Sequence, residues 1–148
     1  KSIKDAVKNA DLVQENGPEN LNIKKKIIKD ISKWTKPSTI IASSSSGLLP
    51  SNIQTSCKFP QRFIVAHPFN PVYLLPLVEI VKGKKTKNFY LKKSKIFFED
   101  LGMITALHTY GFEEEGAWTK IEPNIFTCEE IEGKKYHPYC ATLVKKKY

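Results

Sequence analysis

His67 closes an apolar run, Phe63-Ile64-Val65-Ala66, and is followed at once by Pro68. Pro68 and Pro71 stiffen the chain and hold Phe69 and Asn70 in extended or turn geometry. Glu79 lies inside a second apolar run, Leu77 to Val81. A carboxylate there is costly unless a partner meets it, and His67 is the nearest candidate. A Glu bonded to one ring nitrogen fixes the imidazole tautomer and stabilises the imidazolium, and the other nitrogen then serves as a general base. The same two residues also suit a packed structural histidine and an edge carboxylate turned to water, and their spacing leaves both readings standing.

The elements that must position these groups are read from periodicity. Apolar runs at 11–14, 39–42, 62–66, 77–81 and 103–107 predict five strands. Residues 2–9 read as the end of a helix. Gly17 breaks the chain, and Pro18 and Glu19 suit the first turn of a helix. Its apolar face is expected at Ile23, Ile27, Ile31 and Trp34. Thr86 is placed to cap another helix, with Tyr90, Phe97 and Leu101 on one face and Gly102 as its stop. The strands are apolar throughout instead of alternating, which means a sheet covered on both faces: an α/β fold with a mostly parallel sheet and flanking helices. In such sheets ligands bind beyond the carboxyl ends of strands. The unusual segments fall there: Gln14-Glu15, the serine run Ser43 to Ser46 with Gly47, and His67 to Pro71.

Composition narrows the function classes. The net charge of +9 suggests nucleic acid, yet Arg62 is the only arginine among 24 basic residues. Readers of bases and phosphates favour the bidentate guanidinium, so no nucleic-acid partner is expected. No apolar run approaches a membrane span, and nothing at the start reads as a signal peptide. Three cysteines, an odd number, are expected to be reduced thiols in the cytoplasm. Cys128, His137 and Cys140 lack the tight pairs and fourth ligand of a zinc site, so no metal is expected.

Two stretches carry a family resemblance. Ser43-Ser44-Ser45-Ser46-Gly47-Leu48-Leu49-Pro50 and His67-Pro68-Phe69-Asn70-Pro71-Val72-Tyr73-Leu74-Leu75-Pro76-Leu77-Val78-Glu79 resemble the 3-hydroxyacyl-CoA dehydrogenase family. The likeness is closest to the branch acting on small free substrates, carnitine dehydrogenase and L-gulonate 3-dehydrogenase. The resemblance implies an NAD-dependent oxidoreductase acting on the 3-hydroxyl of a small hydroxy acid or an acyl-CoA. It implies His67 as catalytic base with Glu79 as its carboxylate partner. Ser46 and Asn70 would contact both substrate and cofactor, and Glu19 and Lys24 would contact the cofactor. The implied architecture is the second half of a Rossmann-like NAD-binding domain over residues 1–108, with an unmatched, irregular tail at 109–148.

The sequence departs from the family in two ways. It has no Gly-x-Gly-x-x-Gly turn, which would cradle a pyrophosphate at a helix N-terminus. Beyond Thr109 it does not resemble the family's helical domain, which closes the substrate site and makes the homodimer. The chain is therefore expected to be a fragment, inactive or nearly so by itself. The reading from a different class is a non-catalytic Rossmann-like remnant serving as a binding module.

Overall fold

The computed structural model describes residues 2–108. The tail expected at 109–148, with Cys128, His137 and Cys140, lies outside the described residues. Within them the chain runs α1 (Ile3–Val7), β1 (Leu12–Glu15), α2 (Leu21–Trp34), β2 (Ile40–Ser43) and α3 (Pro50–Gln54). A 3-10 turn (Pro60–Arg62), β3 (Phe63–Pro68), β4 (Leu77–Lys82), α4 (Asn88–Asp100) and β5 (Ile104–His108) follow. The strands form one sheet in the order β1-β2-β3-β4-β5. β1, β2 and β3 pair in parallel, β3 and β4 pair antiparallel, and β4 and β5 pair in parallel.

Connection length explains the one reversal. Each parallel pair is joined through at least one helix, as a crossover requires. Between β3 and β4 only residues 69–76 intervene, too few for a crossover, so the chain must turn back on itself.

Both faces of the sheet are covered. Ile28 and Ile31 of α2, with Ile53 and Cys57, pack on Ile41, Phe63, Val65 and Val81. Leu91 and Phe98 of α4 pack on Ile40, Ala42, Ile64, Ala66, Val78 and Ile80 on the other side. This is why β2 is buried at every position and alternation is lost. Burial pushes the Cys57 thiol up from its ordinary value, which keeps it protonated and inert.

The expected helix faces are corrected by about one residue. On α2 the buried positions are Lys24, Ile28, Ile31 and Ser32, whereas Ile23 and Trp34 are exposed. The helix is turned so that Lys24 meets an acidic partner, and Ser32 can be buried because its hydroxyl donates to Lys29 O and accepts from Lys58 N. Pro18 and Glu19 precede the helix instead of opening it. Asn20 is the cap, its side chain accepting from the N–H groups of Asn22 and Ile23.

On α4 the buried residues are Leu91, Ser94 and Phe98, with Tyr90 and Phe97 half-buried and Leu101 exposed past the end. Thr86 does not cap this helix. Its hydroxyl donates to Phe63 O and accepts from Gly83 N, so it ties the helix approach to β3. Gly102 does end α4, with φ +80 in the region only glycine enters without strain.

Arg62, the lone arginine, is fully buried. Its guanidinium donates to the carbonyls of Ser32, Lys36 and Thr39, closing the C-terminal end of α2 against the start of β2.

The rotated stripe on α2 separates two isoleucines of identical chemistry. Ile28→Ala removes a fully buried side chain and should destabilise the protein by about 2–5 kcal/mol. Ile23→Ala, on the exposed side, should change stability by less than about 1 kcal/mol. Urea unfolding of both variants checks this, and equal losses would show that the stripe is misplaced.

Candidate active site

The antiparallel pairing sets His67 of β3 directly opposite Glu79 of β4. Directly opposed side chains on one face of a sheet stand within contact distance, so register alone brings the two together. His67 Nδ1 lies 3.3 Å from Glu79 Oε2. Glu79 is 6% exposed and His67 half-buried, so the pair sits at the boundary between core and solvent. The Phe69 ring stands 5.7 Å from the imidazole at a tilted angle and covers it on one side.

His67 and Glu79 share a cleft with Ser45, Leu48, Pro50, Val65 and Val81, about 290 Å³ of space including its open mouth. Its walls are mostly apolar, with the imidazole, one carboxylate and one hydroxyl as polar groups. Apolar walls around a few polar groups could orient a small polar ligand at this open cleft.

A second cluster of polar groups lies beside the ends of β1 and β2. Glu15 is the last residue of β1 and Ser43 the last of β2, and the two are register partners. The Ser43 hydroxyl donates to Glu15 Oε2 at 2.6 Å. Lys24 Nζ, fully buried, donates to both Glu15 oxygens at 3.1 and 3.2 Å and to Gly17 O at 3.0 Å. Its distance to Glu19 Oε2 is 3.7 Å. Glu19 Oε1 accepts from the Ser45 hydroxyl at 2.6 Å, Gly47 N at 2.8 Å and Ser46 N at 3.0 Å. Burial alone would raise the Glu19 carboxyl. The Ser45 hydroxyl, the Gly47 N–H, Lys24 and the Ser46 N–H together outweigh it and hold the group below the usual carboxylate range.

The residues singled out from sequence are thus distributed unevenly. His67 and Glu79 meet in the cleft, and Glu19 and Lys24 meet in the second cluster. Ser46 is half-buried on the loop, its N–H turned to Glu19, while it is Ser45 that lines the cleft. Asn70 is exposed at the turn after β3, where a cis peptide bond joins it to Pro71, and it is not among the cleft-lining residues. Sequence reasoning placed Glu15, Ser43 and Ser45 in unusual segments at strand ends but gave them no role. A run of four serines offers no internal mark of which hydroxyl faces where. The usable signal was the strand period: Glu15 and Ser43 each end an apolar run.

Residues 1–108 match the family described as 3-hydroxyacyl-CoA dehydrogenase, NAD binding domain. The chain belongs to that family. Among its relatives, the L-carnitine dehydrogenase of Oceanobacillus iheyensis is 47% identical over 142 residues, covering 88% of this chain and 46% of the relative. The L-carnitine dehydrogenase of Staphylococcus epidermidis is 48% identical, covering 68% of this chain and 32% of the relative. The chain therefore spans less than half the length of these two relatives.

Among solved structures, the (S)-3-hydroxybutyryl-CoA dehydrogenase of Ralstonia eutropha is similar with a TM-score of 0.67 and 32% identity. That match covers 77% of this chain and 41% of the other. An NAD+-dependent 5-formyl-3-hydroxy-2-methylpyridine 4-carboxylic acid 5-dehydrogenase is similar with a TM-score of 0.69 and 32% identity, over 72% of this chain and 34% of the other. The mostly parallel sheet with helices on both faces is the Rossmann-like arrangement of this 3-hydroxyacyl-CoA dehydrogenase family, and NAD is its cofactor. Among the described residues, no helix is long and apolar enough to cross a membrane.

The geometry around Glu19 makes its ionisation a stability term with a definite sign. Because folding lowers its carboxyl below the usual range, the stabilisation is complete at neutral pH. It is lost as pH falls from the ordinary carboxylate range down through the lowered folded value. Glu19→Gln should flatten that acid limb while leaving its shape above neutrality unchanged. Urea midpoints recorded against pH for both proteins check this, and parallel acid limbs would show that Glu19 is not the titrating group.

Proposed function

We propose that this chain is the base-bearing part of an NAD-dependent dehydrogenase that oxidises the 3-hydroxyl of a small hydroxy acid. Carnitine is the foremost substrate, with 3-hydroxyacyl-CoA as the other member of the class. The observation that carries the reading is the His67–Glu79 pair at 3.3 Å, set by strand register in a mostly apolar cleft. Support for the smaller substrate comes from the similar proteins named L-carnitine dehydrogenase at nearly half identity.

In this reading the His67 imidazole takes the proton from the substrate hydroxyl, and Glu79 holds the ring's tautomer and stabilises the imidazolium that results. NAD, when bound, accepts the hydride from the carbinol carbon. Ser46 and Asn70 hydrogen-bond the reacting oxygen and the cofactor, which asks the turn at Asn70 to close over the cleft. Glu19 offers the cofactor its carboxylate. Its Oε1 is anchored by three donors while the side chain remains 40% exposed, so an acceptor is presented outward that suits the hydroxyls of a sugar. Lys24, whose ammonium is buried, serves the cofactor through Glu19.

The 148-residue chain, which has no Gly-x-Gly-x-x-Gly turn, turns over little or nothing by itself. Positioning of the reactants can be worth ~7–11 kcal/mol, and the pyrophosphate turn and the helical domain supply much of it. The protein works in the cytoplasm, and the whole family member is a homodimer.

The test joins this chain to the Gly-x-Gly-x-x-Gly unit and the C-terminal domain of the Oceanobacillus iheyensis relative. NADH formation is then followed with L-carnitine, L-gulonate and 3-hydroxybutyryl-CoA. Turnover should appear in the joined protein and fall by roughly 10²–10⁴-fold in His67→Ala. Turnover untouched by His67→Ala would remove the base from this reading. Failure of the joined, folded protein to bind NADH would favour a non-catalytic binding module.

A further inference from the structure

Lys24 is an unusual residue for its place. It lies in the first turn of α2, where the helix dipole is positive, and its side chain is 1% exposed. Both circumstances oppose a cation, and a leucine would fill the same space without either cost. The compensation comes chiefly from Glu15, itself 3% exposed, whose two oxygens both accept from Lys24 Nζ.

Glu15 also reaches the serine loop. Its Oε2 accepts from Ser43 Oγ, and Ser43 Oγ in turn accepts from Ser45 N at 3.3 Å. Ser45 Oγ donates to Glu19 Oε1, and Glu19 Oε2 faces Lys24. The contacts form a closed ring: Glu15, Lys24, Glu19, Ser45, Ser43 and back to Glu15. Gly17 shows how tightly the ring is shut. Its N–H donates to Glu15 Oε1, and a Cβ on it would stand 2.7 Å from that oxygen and 2.8 Å from Ile27 Cδ1.

We propose that Glu15 is a positioning residue of the cofactor side of the site: it holds Lys24 and the Ser43–Gly47 loop so that Glu19 is presented in one orientation. The inference rests on Glu19 being the cofactor-facing group, but its test does not require a cofactor. The Ser46 and Gly47 N–H groups both donate to Glu19 Oε1, so their chemical shifts report its ionisation.

The experiment titrates those two amides by NMR in the full chain, in Glu15→Gln, and in Glu15→Gln/Lys24→Met. In Glu15→Gln the ammonium is left with Glu19 as its anionic partner in the ring, so the midpoint should fall. In the double variant that attraction is gone and the midpoint should rise. An opposite charge at ~4–6 Å moves a carboxylate by about 1–3 pH units, so shifts of roughly half a unit or more are expected each way. If Glu15→Gln alone does not fold but the double variant does, with both amides still reporting Glu19, Glu15 serves only to neutralise Lys24 and the inference is overturned. A folded Glu15→Gln with the wild-type midpoint overturns it, as does a double variant with the wild-type midpoint. Failure of both to fold also overturns it and leaves Glu15 a purely structural residue. NADH binding, measured on the same samples, speaks to the cofactor reading alone.

Discussion

Eight residues, Phe69 to Pro76, separate β3 from β4, and the arrangement of the site follows from how few they are. A longer connection would have admitted a helix and a parallel crossover. The short one forces the chain to reverse, and reversal makes the partner of each β3 residue a β4 residue at a fixed sequence distance. His67 opposite Glu79 is one rung of that ladder. Slipping the register by one residue would carry Glu79 to the other face, into the apolar layer beneath α4. The cost of burying that carboxylate among apolar side chains without a partner opposes such a slip, so the core favours the polar contact.

The parallel half of the sheet does a related thing by different means. Strands that run together end together, so Glu15 and Ser43 finish side by side, with His67 on the next strand along. Glu15 and Ser43 are therefore terminal rungs of a rigid ladder instead of passengers on loops. The loops carry Glu19 and Ser45, and the strand ends anchor them through Ser43 and Glu15. A buried ammonium and a buried carboxylate cancel each other's charge there, and that keeps Lys24 in a position where burial alone would reject it.

The sheet was legible because continuous apolar runs are a physical signature of a strand covered on both faces. The pairing of His67 with Glu79 was legible because an isolated carboxylate in such a run needs a partner. The helix faces were less so. Lys24, Ser32 and Ser94 are buried on the faces that meet the sheet, and a reading that equates buried with apolar turns the helix away from them. Ser94 is tolerated because its hydroxyl donates to Tyr90 O one turn back. Thr86 has the sequence look of a cap but is drawn off by the carbonyl of Phe63, a contact 23 residues away that no local pattern encodes. In the serine run all four positions look alike, and only the loop's path decides that Ser45 lines the cleft.

The order of the strands has a consequence for how the chain reaches this state. Among the described residues each strand is bonded only to its neighbours in sequence, β1 to β2 and so on through β5. None of these five strands is inserted between two already paired, so no pairing closes more than one connection. The five described strands can be laid down in order, each addition covering the edge left by the last. Each pairing then spans only the connection between consecutive strands, in a largely parallel sheet whose edges would otherwise stay open for longer.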